Sequence, residues 1–208
     1  MKKPQPVRIE RQRESYRGAS IIARAYTGGV KGKAWIHGRE IASVDGVSEP
    51  DVLAALREQV DAVIVVETDP CSVPYPDDAA YRAALETIRS RLTERQRTLL
   101  QAHVRARRHA ATGAALAESV GFPSWQSARQ PYSNVGRALG EAMLFQPRNH
   151  NRAPLWMLIV AEPDADNGIG PDTSWTMRPQ LVAALAAVRI DPDPFADTKS
   201  LSFSRQRG

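Results

Sequence analysis

Three prolines fall within ten residues at positions 69–78, DPCSVPYPDD. Each proline lacks an amide donor and fixes its own backbone, so neither a helix nor an inner strand runs through such a stretch. The chain is therefore expected to fold as separate modules on either side of it. With 208 residues, 42% of them apolar, there is material for one or two modest cores and not for a large multidomain enzyme. Both ends are polar and hold little to bury. The expected organisation is a basic flexible tail at 1–15, a sheet-and-helix module at 16–68, a Pro-rich linker at 69–78, a helical domain at 79–190 and a second flexible tail at 191–208. The fold class is α+β, a small three-stranded sheet plus helix followed by a helical domain with a short sheet.

Charge divides the chain in the same way. Residues 1–17 carry six cations and two acids, and residues 89–110 carry seven Arg and one Glu. Between them, residues 45–85 hold nine acids against Arg57 and Arg82. Two basic surfaces flank a segment that a polyanion would avoid. The formal charge is +5, and 23 of the 28 cations are Arg, a balance that suits a polyanionic partner.

In the first module, residues 20–26 and 30–37 flank Thr27-Gly28-Gly29, a glycine pair able to supply the positive dihedrals of a hairpin turn. A third strand follows at 40–44, after His37-Gly38-Arg39. Glu49 and Pro50 then open a helix whose Val52, Leu53, Leu56, Val60 and Val63 recur at helical spacing to cover one sheet face. Residues 63–66 are β-branched enough to be a short strand instead. Period-two alternation directs Ala34 and Ile36 to one side and Lys31, Lys33, Trp35, His37 and Arg39 to the other. That second face is basic and aromatic, suited to phosphate contact with Trp35 packed on a sugar or base. A three-stranded sheet of this kind can enter a DNA major groove.

The second module reads as a helix-turn-helix. Thr93 is placed to cap a helix whose Leu99, Leu100, His103 and Val104 form an apolar stripe, with Arg97, Arg105 and Arg108 on the other side. A second helix covers about 112–120 and stops at Gly121. The third starts at Ser124, with Trp125, Ala128, Tyr132, Val135, Leu139 and Met143 on one face. Its opposite face carries Gln126, Gln130, Ser133, Asn134 and Arg137, side chains able to pair with base edges. Pro131 is expected to kink or divide this helix, or to start the recognition helix itself. Beyond it, residues 145–154 bring Arg148 and Arg152 into a polar loop before 155–161, which is a buried strand by composition. A cationic loop between a recognition helix and a strand has the character of a wing. Residues 174–177 are expected as a short edge strand. Pro179 opens an Ala-rich helix with Leu181, Val182, Leu185 and Val188 on its packing face, a surface that also suits a second copy in a homodimer.

The series Leu92-Thr93-x-x-Gln96-x-x-Leu99-Leu100-x-Ala102-His103, Leu116-Ala117-Glu118-x-Val120-Gly121-Phe122 and Asn134-Val135-Gly136-Arg137-Ala138-Leu139-Gly140-Glu141-Ala142 resembles the winged-helix-like modules of bacterial restriction and HNH-nuclease-associated proteins. The resemblance covers about residues 92–160. It implies contact with DNA in a defence or restriction setting, with reading of modified bases; the functional expectation adds double-stranded DNA as the partner, reading of sequence and transcription control. No HNH motif is present, so the nuclease part does not carry over.

Catalytic patterns are absent from the sequence. His37, His103, His109 and His150 lack the paired spacing of a helical metal site, and there is no phosphate-binding glycine loop or nucleophile elbow. One cysteine, Cys71, excludes an internal disulfide and a Cys-rich zinc site. No run of about 18 apolar residues offers a membrane span, and the charged first fifteen residues do not form a signal peptide, so a cytoplasmic location is expected. The expectation is a non-enzymatic, cofactor-free DNA-binding protein. Two alternatives from other classes are a protein-binding adaptor or inhibitor of a phage or mobile element, and a DNA-contacting subunit of a separately encoded partner enzyme.

Overall fold

A computed structural model describes residues 11–68, 73–164, 169–188 and 190. The expected tails, except for residues 11–15, and Cys71 lie outside them. The chain divides into two compact units, Met1–Val66 and Glu67–Gly208, and the mixed α+β class holds.

The smaller unit is an antiparallel meander of four strands, not three. In sheet order these are β1 (Arg11–Tyr16), β2 (Ala19–Tyr26), β3 (Gly29–Ile36) and β4 (Arg39–Gly46). Helix α1 (Glu49–Val63) follows and then the two-residue strand β5 (Val65–Val66), so both readings of residues 63–66 are partly realised. Tight turns at Arg17-Gly18 and His37-Gly38 place two successive residues at positive φ, the conformation whose twist matches the flanking strands. Ser48 caps α1 by accepting from the Asp51 amide, and Pro50 sits in its first turn. The helix lays Val52, Leu53, Leu56 and Val60 on Ala19, Ile21, Ala23, Val30, Ala34 and Ile36, all buried. Gly32 permits the approach, since a Cβ there would lie 2.4 Å from Val52 Cγ1.

The unforeseen strand β1 occupies part of the expected basic tail. Its helix-facing residues are polar and bond to charges on α1. Arg57 donates to both Glu14 carboxylate oxygens, at 2.9 and 2.7 Å, and the Tyr16 hydroxyl donates to Asp61 at 2.9 Å.

The larger unit begins before the expected linker ends. Glu67 is buried, and Val73 and Tyr75 pack against the core of this unit, so residues 73–78 belong to it and are not a free connection. Its elements in chain order are helices α2 (Asp78–Ile88) and α3 (Glu94–Arg105), strand β6 (Ala110–Thr112), and helices α4 (Gly113–Ser119) and α5 (Trp125–Met143). Short strands β7 (Phe145–Gln146), β8 (Asn149–His150) and β9 (Ala153–Pro154) follow, then helix α6 (Met157–Val160), strands β10 (Ala161–Pro163) and β11 (Ser174–Met177), and helix α7 (Pro179–Ala187).

Local signals place the helices. Thr93 and Gln96 form a reciprocal capping box on α3, Thr112 caps α4, and Ser124 caps α5. Gly121 takes φ +73° in the turn between α4 and α5. Helix α5 runs unbroken through Pro131, which neither divides it nor starts it.

Two sequence expectations fail at long range. The apolar stretch at 155–161 is mainly the short helix α6, because a run buried on all sides carries no period to separate helix from strand. The loop at 145–154 accordingly leads into a helix and contains its own β8–β9 hairpin. Strand β11 is central rather than at an edge. It pairs antiparallel with β10 on one side and with β6 on the other, bringing Trp175 opposite Ala111. Among the described residues no helix is long and apolar enough to cross a membrane.

Candidate nucleic-acid interfaces

Helix α5 is split by burial along its length. Trp125, Ala128, Tyr132, Val135, Gly136, Leu139 and Gly140 are buried, whereas Gln126, Gln130, Asn134 and Arg137 are exposed and Ser133 is half-buried. Arg129 lies on the same open face and was missed, although its spacing of three from Gln126 and four from Ser133 is the signal that places it there. The face is held in register by its own bonds. Gln130 donates to Asn134 Oδ1 at 3.0 Å, and Arg137 donates to Glu141 at 2.7 Å.

Further arginines of this unit lie outside α5. Arg105, Arg107 and Arg108 are exposed at the end of α3, with Arg108 and His109 both at positive φ in the turn that leads into β6. Arg97 is half-buried and donates to the Arg89 carbonyl at 3.3 Å, so part of its capacity is used within the fold. Arg152 is exposed in the β8–β9 turn. Arg148 has a structural task instead. Its amide and guanidinium donate to the buried Glu67 carboxylate, at 3.0 and 3.3 Å, as does the Tyr75 hydroxyl at 2.8 Å. Burial and Glu67 together raise the Tyr75 hydroxyl well above its ordinary pKa. The Arg178 guanidinium lies 3.2 Å from the centre of the Tyr75 ring and donates to Glu162 at 2.6 Å. Removing one member of such a set strands a buried charge.

In the smaller unit the outer sheet face carries Arg13 on β1, Ile22 and Arg24 on β2, Lys31, Lys33 and Trp35 on β3, and Glu40 and Asp45 on β4. Arg39 does not join it. Across the His37-Gly38 turn Arg39 pairs with Ile36, and cross-strand partners share a side, so counting by twos through a hairpin put it on the wrong face. Glu40 stands opposite Trp35 in its place. Lys33 meets Glu40 at 2.6 Å and Lys31 meets Asp45 at 3.6 Å. Pairs this exposed contribute about 0–1 kcal/mol and exchange readily for other anions. Ile22, Arg24, Lys31, Lys33 and Trp35 line a shallow depression of about 280 Å3.

One buried titratable group supports the packing behind α5. His103 is fully buried, with Nε2 2.9 Å from the Trp175 carbonyl and Nδ1 against the Tyr132 hydroxyl. Desolvation lowers its pKa from the ordinary 6.5 and outweighs the Trp175 carbonyl, which favours the charged ring. The neutral ring then donates from Nε2 and accepts at Nδ1. Below about pH 6.5 the unfolded chain takes up a proton that the folded chain refuses, so stability is full above that pH and falls as the pH drops towards the lowered folded value. Thermal melts from about pH 7.5 to about pH 5 should show this loss, and His103→Gln should remove it. An identical pH dependence in both proteins would mean that His103 is not held neutral.

Among the described residues no group of three or more His, Cys, Asp or Glu side chains is placed to hold a metal ion. The chain matches no protein-family model, no curated protein and no solved structure.

Proposed function

We propose that the larger unit is a winged-helix module and that the protein binds double-stranded DNA with α5 in the major groove. The observation that carries this reading is connectivity. The order α3, β6, α4, α5, β10, β11, with β6 beside β11 and β11 beside β10, is that of a helix-turn-helix closed by a three-stranded sheet. On this reading residues 145–160 are an insertion between α5 and β10. The exposed face of α5 supports the same assignment. The Gln130–Asn134 pair still offers an amide oxygen and an amide nitrogen, the acceptor and donor functions that an adenine edge requires, and Arg137 suits guanine.

Selection from randomised duplexes, with methylated and unmethylated pools, should yield a preferred site. Gln130→Ala and Arg137→Ala should each weaken that site by about 1–3 kcal/mol and change other duplexes less. Equal losses on every duplex would restrict these residues to phosphate contact. Failure of every pool to bind would replace the DNA reading with that of a protein-binding adaptor.

A further inference from the structure

We infer that the outer sheet face of the smaller unit is a binding surface for single-stranded nucleic acid, separate from the duplex contact assigned to α5. A fourth strand changes what this sheet can do. Four strands at about 4.8 Å spacing put about 14 Å between the outermost axes, before any side chain is added, and the major groove is about 12 Å wide. The sheet is therefore too broad to lie flat in the groove. It offers an open platform instead, and a platform suits a strand whose bases are unstacked.

The chemistry of the platform fits that ligand. Trp35 and Ile22 form an apolar patch on neighbouring strands, half-buried and therefore positioned, with Arg24, Lys31 and Lys33 around the same depression. An aromatic side chain flanked by cations stacks on a base and holds its phosphates, and only an unpaired strand exposes the flat side of a base. Lys31, Lys33 and Trp35 recur every second residue, about 7 Å apart along β3, close to the repeat of an extended nucleotide. Charge also sets where the strand lies. The side chains run from Arg13 and Arg24 on β1 and β2, through the lysines of β3, to Glu40 and Asp45 on β4. Phosphates are drawn over β1 to β3 and repelled from the β4 margin. Arg24 has no acidic partner among the described residues, and the acids facing Lys31 and Lys33 are in exposed pairs that a phosphate can displace.

The test uses the full chain with fluorescein-labelled oligothymidylate, oligouridylate and a hairpin duplex, read by anisotropy across a salt series. Binding of either single strand is expected. Trp35→Ala should weaken it roughly five- to a hundredfold, the worth of one stacked base, while Trp35→Phe keeps most of the affinity. The double variant Arg24→Ala/Lys31→Ala changes exposed side chains only and should flatten the log–log salt dependence on single strands by roughly 1.4. It decides the matter if Trp35→Ala does not fold. None of these changes should alter duplex affinity, and Arg137→Ala should leave single-strand affinity unchanged, so the two sites succeed or fail separately. The inference is overturned if neither single strand binds. It is also overturned if the sheet variants reduce duplex and single-strand binding equally, or if the folded variants bind single strands as tightly as the parent chain.

Discussion

Replacing Gly136 with Ala should destabilise the larger unit by about 3 kcal/mol or more, seen as a lower urea midpoint at unchanged slope. The sign rests on a competition between two effects. In a helix interior the substitution ordinarily gains about 1 kcal/mol, because Ala has the better helix propensity. Here a Cβ on Gly136 would stand 2.0 Å from the Trp156 carbonyl oxygen and 2.8 Å from its carbon. Both are backbone atoms and cannot swing aside, so α5 must separate from the segment that leads into α6. One turn on, a Cβ at Gly140 would lie 2.8 Å from Cζ3 of the Trp156 ring, which makes the crossing tight over a full turn. Gly32 in the smaller unit is a second tight site, because a Cβ there would stand 2.4 and 2.6 Å from the buried Val52 and Leu56 side chains of α1. A neutral or stabilising Gly136→Ala would mean that α5 does not pack there.

Duplex affinity should fall several-hundredfold when salt rises fourfold, from about 50 to about 200 mM. Roughly five phosphates neutralised by exposed arginines such as Arg105, Arg107, Arg108, Arg129 and Arg137 give a slope of about −4.5 in log affinity against log salt. Changing Arg108 and Arg129 to Ala together should bring that slope to roughly −2.7, at little cost in stability because both side chains are exposed. Association indifferent to salt would remove the duplex reading and leave the protein-binding one.

Part of this molecule is determined within a few residues of each position and was therefore legible in the sequence. The stripe Trp125, Ala128, Tyr132, Val135, Leu139 is buried as its spacing requires, and Gln126, Gln130, Asn134 and Arg137 are open for the same reason. The caps Thr93 and Ser124 act on amides three residues ahead. The alternation from Lys31 to Trp35 resolves the two sheet faces.

What the tertiary structure decided depends on which chain arrives alongside. Strand β1 looks like a polar tail because Glu14 and Tyr16 meet Arg57 and Asp61, more than forty residues away, instead of an apolar core. Tyr75 sits in a proline-rich stretch that reads as a linker, yet its hydroxyl bonds to Glu67 and its ring lies against Arg178. Arg39 changes sides because a two-residue turn resets the alternation. Period and capping are local properties of the backbone, available to any reading of the sequence. The partner of a buried charge, the side of a strand beyond a turn and the central place of β11 between β10 and β6 are set by contacts between distant residues, and those exist only once the chain has folded.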